Sequence, residues 1–455
     1  MPPADLFAIP VLDKYLFYAP LSRYARVIGA DELGHLRQAL ATEDRDSDPL
    51  SAQILAHLQL NAFTPDPLPQ GPLTNPFFLG LITTRGCNMG CRYCDFSTTP
   101  KTSSAMPVEL ARAAIDAYLD LLSQNGKQAG EIQFFGGEPF FRNRIVEFAV
   151  GYARHSALKK GIELHFEVTT NGLFGTKRSA WIADNLDAVV LSLDGPAEFQ
   201  NAHRPLIHGA GSFEKVFQNA RILSEGNTDL IIRVCVTDKS ASQLPEIARW
   251  IAGEFIASSV CFEPLTACEL SIQHGLLPPD PVTFAAMYLQ AEDELAQYGI
   301  LTITSGTDLN RLQHSFCPVG KDAILVTPEG RLNACYLLEQ EWEKEGLDLS
   351  FGRINPASAC FQIDAENLEA IRCLAATRHP LCAGCFCKYH CAGACHVNHR
   401  AARDTSAYDA VCVQTRLITT GKLLKRIQQI DLYQEWISAL VQAPITAPSI
   451  PNCLL

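Results

Sequence analysis

From residue 77 onward, apolar and β-branched runs alternate with stretches whose apolar positions recur at helical spacing. The runs are FFLGLITT, EIQFFG, IELHFEVTTNG, DAVVLSLDG, LIIRVCVT and SVCFEPL. Between and after them lie PVELARAAIDAYLDLL, NRIVEFAVGYARHSAL, SAWIADNL, SFEKVFQNARILSEG, SQLPEIARWIAGEF and PDPVTFAAMYLQAEDELAQYG. In the first of these helical stretches, Leu110, Ala114, Ala117 and Leu121 fall on one face. Near-continuous apolar strands alternating with helices predict buried parallel strands. Six such units rather than eight predict an α/β fold of the partial, open (β/α)6 barrel kind. Chemistry in such folds gathers at the C-terminal ends of the strands, where Cys87, Gly136, Asn171, Asp194 and Glu263 lie.

The two flanks read differently. Residues 1–75 look like a separate module, with LFAIPVLDKYLFYAPLSRYARVIG as two short strands in a hairpin and DELGHLRQAL and SAQILAHLQL as short helices. Asp31 and Ser51 are the expected N-caps, ATEDRDSD is an acidic loop, and the Pro-rich FTPDPLPQGPLTNP is a linker. The barrel is expected over 76–305. From about residue 310 the alternation stops and cysteines become dense. AILVTPEGRLNACYLL reads as a hairpin turning at Pro328-Glu329-Gly330, and the rest of 306–420 has so little apolar pattern that metal is expected to hold it folded. LITTGKLLKRIQQIDLYQEWISALV reads as one amphipathic helix, and 421–455 as that helix with a frayed tail.

Composition narrows the choices. The chain has 455 residues with 47% hydrophobic and 19% charged, which favours a packed core over disorder. The formal net charge of -12 and the lack of long Lys/Arg runs argue against nucleic-acid binding. No apolar run reaches membrane-spanning length, and Met1 leads into Pro2, Pro3, Ala4 and Asp5, so neither a membrane span nor a secretory signal is expected. The 17 cysteines then read as ligands in a reducing, cytoplasmic compartment rather than as disulfides. Cys453, third from the end in PNCLL, is one residue short of a prenylation signal.

Cys87, Cys91 and Cys94 form C-x3-C-x2-C directly after the first strand. Thiolates are the ligands iron–sulfur clusters prefer, and three of them on one loop can hold three corners of a cubane and leave one iron open. A zinc loop is the plainer alternative, but zinc wants a fourth protein ligand nearby. Downstream, Cys317, Gly330, Cys335, Cys382, Cys385, Cys391, Cys395 and Cys412 form C-x12-G-x4-C, a gap, C-x2-C-x5-C-x3-C, a gap and C. Cys235 and Cys261 lie in apolar runs and read as buried hydrophobes. Cys387 lies between the expected ligands and could substitute for one, whereas Cys268, Cys360, Cys373 and Cys453 have no assignable role. His390 and His396 flank the downstream cysteines, as hydrogen-bonding support would.

The first cysteine motif, with Tyr93 as its aromatic, resembles the radical S-adenosylmethionine superfamily signature. The resemblance implies a [4Fe-4S] cluster whose open iron chelates S-adenosyl-L-methionine, with reductive cleavage to a 5′-deoxyadenosyl radical that abstracts hydrogen. It also implies that Gly136, Gly137 and Glu138 of FFGGEP contact the methionyl group, that Ser192 and Arg204 serve the carboxylate and ribose, and that Arg233 is a weaker contact. A Gly-Gly turn or a core serine is the plain reading of those residues taken alone. The downstream spacing resembles the SPASM domain of peptide- and protein-modifying radical enzymes. By that pattern Cys382, Cys385, Cys391 and Cys412 hold one auxiliary [4Fe-4S] cluster, and Cys317, Cys335 and Cys395 hold a second. The fourth ligand of that second cluster is His314, a substrate group, or an open position.

These resemblances imply a maturase that cross-links a ribosomal precursor peptide through a thioether or carbon–carbon bond, supplied with electrons by a ferredoxin or flavodoxin. Sulfatase-type side-chain oxidation is the alternative. Such enzymes carry an aspartate where this chain has Tyr336. Residues 1–75 resemble small winged-helix modules that grip leader peptides at an open sheet edge, with a barrel-capping extension as the other reading. A protein that only relays electrons, and a zinc scaffold, are readings of other classes.

Overall fold

The computed structural model describes residues 5–42, 48–94, 96, 104–141, 144–376, 380–399 and 408–442. The acidic loop over 43–47 and the tail from 443, with Cys453, lie outside the described residues. The chain opens with three antiparallel strands, not two: β1 (Phe7–Val11), β2 (Lys14–Ala19) and β3 (Tyr24–Ile28), in the order β1-β2-β3. A 3-10 turn over Pro20–Ser22 and Arg23 at φ 50° reverse the chain, so Ala19 faces Tyr24 and the third strand forms. α1 (Ala30–Thr42) begins before Asp31, and the Gly29 N–H donates to Glu32 Oε2 at 2.7 Å. Asp48, not Ser51, caps α2 (Pro49–Leu60), accepting from the Leu50 and Ser51 amides at 3.0 and 3.3 Å. Pro49 at the first helical position needs no donor there, which shifts the cap three residues upstream.

All six expected barrel strands form: β4 (Leu79–Ile82), β5 (Ala129–Phe135), β6 (Glu163–Thr170), β7 (Ala188–Ser192), β8 (Asp229–Val236) and β9 (Ser259–Pro264). Each pairs with the next in parallel. The connecting helices are α3 (Val108–Gln124), α4 (Ile145–Lys160), α5 (Thr176–Asn185), the short α6 (Ala197–His203), α7 (Phe213–Ser224), α8 (Leu244–Glu254), the short α9 (Glu269–Gln273) and α10 (Pro281–Ala296). On α3, Leu110, Ala114 and Ala117 are buried, while Leu121 packs at the margin of the core. A short β10 (Leu301–Ile303) extends the sheet beyond β9.

The sheet does not stop at the barrel. β11 (Ile324–Val326) pairs in parallel with β4, and β12 (Arg331–Asn333), β13 (Ser350–Asn355) and β14 (Cys360–Ile363) follow antiparallel. The result is one open sheet of eleven strands, β10-β9-β8-β7-β6-β5-β4-β11-β12-β13-β14. The turn at Pro328-Glu329-Gly330 is where the sequence put it, with Gly330 at φ 81°. With α11 (Glu339–Glu343) and α12 (Ala365–Ala376), this region buries Leu332, Trp342, Leu349, Phe351, Leu368 and Ile371 in the main core. The expectation that all of 306–420 lacks a core is therefore corrected. Two stretches of this region, 306–323 and 380–399, are without helix or strand, apart from one isolated bridge in the first and one 3-10 turn in the second. The single C-terminal helix is also corrected to two, α13 (Ala410–Arg426) and α14 (Ile430–Gln442), broken where Gln428 takes φ 61°. No helix among the described residues is long and apolar enough to cross a membrane.

Candidate active site

The loop that carries Cys87, Cys91 and Cys94 is pinned from several sides before any cofactor is considered. Its base is fixed by the Thr84 hydroxyl, which accepts from the Gly86 amide at 3.0 Å. Its far side pairs with the end of α6: the Gly90 amide donates to Pro205 O at 2.8 Å and the Arg92 amide to His203 O at 2.9 Å. Asn171, just past β6, donates through Nδ2 to Asn88 Oδ1 at 2.8 Å and lies 3.5 Å from the Cys87 sulfur.

The glycines of FFGGEP were expected to admit a ligand. In the structure their immediate neighbour is the cysteine loop itself. The amides of Gly137 and Glu138 donate to Thr84 O and Gly86 O, both at 2.8 Å. A Cβ on Gly137 would lie 2.2 Å from Gly86 O, and one on Gly136 2.5 Å from Thr84 O. The Glu138 side chain is buried and accepts from the Thr170 hydroxyl (2.8 Å), the Asn171 amide (2.8 Å) and the Phe140 amide (3.2 Å). Burial still pushes its carboxyl up to about 7. Glu138 thus ties β5, β6 and the cysteine loop into one unit.

A second unit centres on Asp194, after β7. It accepts from the Tyr93 hydroxyl at 2.6 Å and the Cys235 amide at 2.9 Å, and it faces His203 Nδ1 at 3.2 Å and Arg204 Nε at 3.0 Å. Burial alone would raise this carboxyl, but Arg204, His203 and Tyr93 hold it down at about 2. Arg204 also lies over the Tyr93 ring, 5.3 Å from its centroid. Ser192 ends β7 and faces Arg233 on β8 across the sheet. Arg233 was expected in a buried strand; its side chain is exposed and meets no carboxylate among the described residues. On the same sheet, Glu131, Gln133 and Phe135 lie on the face of β5 opposite the buried Ile132 and Phe134. The Tyr336 phenol donates to Gln133 Oε1 at 2.5 Å. Burial and the nearby Glu131 push Glu167 up to about 7.

The downstream thiols gather in two places. Burial, and the nearby Cys395 as a smaller cause, push both Cys317 and Cys335 up to about 12. Cys382, Cys385, Cys391 and Cys412 line one cavity together with Cys387, His399, Tyr408 and Arg416. Burial and its neighbouring thiols push Cys391 up to about 12, while the hydrogen bond to Cys387 and the Arg416 guanidinium pull Cys385 down. His314 packs edge-on against Tyr389. The His390 ring bonds to the fold rather than to a cysteine sulfur, with Nε2 2.6 Å from the Tyr18 hydroxyl and Nδ1 3.0 Å from Arg311 O.

Sequence reasoning missed two residues here. Arg416 is fully buried, 3.9 Å from the Cys385 sulfur and over the rings of Tyr408 and Phe386. Its signal was its place one turn after Cys412 on the same helix face. His399 Nε2 lies 3.5 Å from the Cys412 sulfur and 3.0 Å from Asp409. Its partner caps α13, a link visible only in three dimensions.

All sixteen described cysteines are free thiols. Ten of them are packed into three groups so buried and mutually repelling that most resist ionisation without a cation. A buried, all-sulfur donor set fits iron–sulfur clusters; among the described residues, the trio of donor atoms that lie within 4.8 Å of one another is His399, Asp409 and Cys412.

Residues 81–251 match the Radical SAM superfamily model, so the barrel is a radical SAM domain. A cysteine-type anaerobic sulfatase-maturating enzyme from Clostridium perfringens is 24% identical over 209 residues, covering 44% of this chain and 55% of that protein. The matched stretches span only about half to three fifths of the first curated relatives. The structure of anSMEcpe with bound AdoMet superposes with a TM-score of 0.58 at 19% identity, over 79% of this chain and all of that one. Streptococcus suis SuiB bound to precursor peptide SuiA superposes with a TM-score of 0.51 at 14% identity, over 90% and 98%. These likenesses show a radical SAM fold that runs on into a cysteine-rich C-terminal region.

Proposed function

We propose that this protein is a radical SAM peptide maturase that forms an intramolecular thioether or carbon–carbon cross-link in a ribosomal precursor peptide. The observation that carries the reading is the grouping of thiols: a three-cysteine loop directly after the first barrel strand, with two further groups in the loops and helix that follow the sheet's extension. Cys87, Cys91 and Cys94 would hold a [4Fe-4S] cluster that, with S-adenosyl-L-methionine and an electron from a ferredoxin or flavodoxin, supplies a radical able to abstract hydrogen. Cys382, Cys385, Cys391 and Cys412 would hold one auxiliary cluster, and Cys317, Cys335 and Cys395 the other.

The chain's own residues have distinct tasks in this scheme. Glu138 and Asn171 hold the Cys87 end of the loop, and Asp194 with Arg204 holds Tyr93. Gly136, Gly137, Ser192 and Arg233 sit around the same strand ends and complete the adenosylmethionine site. Removing two hydrogens from a peptide also leaves a proton to be taken up, and Glu167, beside Glu131 and facing Tyr336, is placed and tuned near neutrality for it. Tyr336 offers a phenol where sulfatase maturation calls for a carboxylate, which favours cross-linking. The N-terminal module, whose β3 pairs on one side only among the described residues, is a leader-peptide grip in this reading.

The test is a mass spectrum of a short peptide encoded beside the gene, co-expressed anaerobically with the enzyme. A loss of two hydrogens per site with no new thiol reactivity supports the cross-link. A reconstituted protein with full clusters that never cleaves S-adenosylmethionine would overturn the reading in favour of an electron relay.

A further inference from the structure

A cleft with a basic rim lies where the N-terminal module meets α13. Arg23, Tyr24 and His57 form one wall and Arg426 the other. The floor is apolar: Tyr18, Leu309, Leu312 and Leu423 are all buried. Arg23 holds a left-handed backbone at φ 50°, a conformation that favours glycine, and it lies 4.5 Å over the Phe63 ring. From opposite sides the two arginines reach the same residue, Asn310. Arg23 Nη2 lies 3.5 Å from its carbonyl, and Arg426 Nη2 donates to its side-chain oxygen at 2.7 Å. Arg426 Nη1 also donates to Leu309 O at 3.1 Å. No ion pair joins either arginine to a carboxylate among the described residues, although acidic residues outnumber basic ones by 49 to 37.

Two guanidiniums converging without an acid, above a floor of leucines, make a site for an anion attached to an apolar body. A guanidinium has five donors, and the carbonyl and amide contacts to Asn310 and Leu309 leave most of them open. We propose that this cleft binds an acidic side chain of an extended peptide, with Arg23 and Arg426 closing on the carboxylate and the leucine floor taking a neighbouring aliphatic side chain. That the peptide is the enzyme's substrate rests on the maturase reading. The cleft's inner wall is His390, hydrogen-bonded to Tyr18 and next in the chain to Cys391. An acidic residue docked here would therefore anchor the peptide one residue from a thiol set, away from the barrel rim.

The experiment uses reconstituted full-length protein and fluorescence anisotropy. The probes are a short labelled peptide of alternating Glu and Leu, and the same peptide with Gln for Glu. The acidic peptide should bind about tenfold tighter, and Arg23→Gln and Arg426→Gln should each remove most of that preference. Arg426→Lys, which keeps the charge but loses the fork, should fall between. Both arginines are exposed, so a thermal melt should confirm that the variants remain folded. Equal affinity for the two peptides, or an acidic preference untouched by both Gln variants, would overturn the proposal. So would inorganic phosphate displacing the acidic peptide as well as acetylated Glu-Leu does, since that marks a free-anion site. Adenosylmethionine cleavage by the same preparation separates the two claims. Cleavage without acidic-peptide binding overturns only the cleft, and binding without cleavage overturns only the maturase reading.

Discussion

The barrel and the stretch over 380–399 both gather cysteines, but they hold them by different means. Around Cys87, Cys91 and Cys94 the chain supplies a complete hydrogen-bonded frame. Asp194 has four partners and Glu138 three, and both carboxylates lie just past the ends of strands packed in the core. Between Cys382 and Cys395 there is no strand, and the backbone is bent through positive φ at Ala392 (51°) and Ala394 (61°). Neither alanine is a residue that favours that conformation. The first site is framed by the fold's own hydrogen bonds. The second has no such frame of strands, and on the maturase reading its metal would be part of what makes it fold.

The sharpest way to break this contrast is a pair of single-cysteine variants. Cys87→Ala should abolish S-adenosylmethionine cleavage, keep about two thirds of the iron and leave the melting temperature nearly unchanged. Cys385→Ala should lose iron and also hydrogen-exchange protection over 380–399, while β5 to β8 stay protected. Loss of barrel protection in the second variant would show that the two regions fold as one.

Asp194→Asn tests whether the barrel frame is intrinsic. It leaves Arg204 buried without its counter-charge and should cost about 3–5 kcal/mol even in metal-free protein, read by denaturant unfolding. The pH dependence has a definite sign. Asp194 sits at about 2 in the folded protein, below its ordinary value of 3.8. Its contribution is complete above that ordinary value and is lost as pH falls through about 2. The linked part is about 2 kcal/mol, so the gap between wild type and Asp194→Asn should narrow only in that acid window. A gap that closes nearer neutrality would mean the ion pair is not what holds the site.

Gly137→Ala is a smaller perturbation of the same frame. The new methyl would press on Gly86 O, and a cost of about 1–3 kcal/mol with weakened adenosylmethionine binding is expected from calorimetry. Cys360→Ser should do least. Cys360 is exposed on β14 and belongs to neither group, so iron content and stability should stay within about 0.5 kcal/mol of wild type.

Much of the barrel was legible because its strands carry enough apolar and β-branched residues to stand out as runs, even where β5, β6 and β8 bury only alternate positions, and because amphipathic helices leave a stripe. Every such run became a strand. Short elements were not legible: α6, α9, α11 and β10 are too brief to show a period. β3 was missed because its turn uses Arg23 in a backbone state usually signalled by glycine. The break between α13 and α14 was missed for the same reason, with Gln428 at φ 61°.

By itself the sequence determined the order of strands and helices, the identity of the thiols and the loop that carries the first three. These are properties of local periodicity and of spacing along the chain. Only the tertiary structure decided that β11 joins β4, so that the hairpin of the cysteine-rich region continues the barrel sheet. It likewise decided that FFGGEP leans on the cysteine loop, that Arg416 and His399 come to the Cys385 and Cys412 sulfurs, and that Arg23 and Arg426 face one another across a cleft. Each of those contacts joins residues that no helical or strand period relates, or needs a backbone distance that composition does not encode.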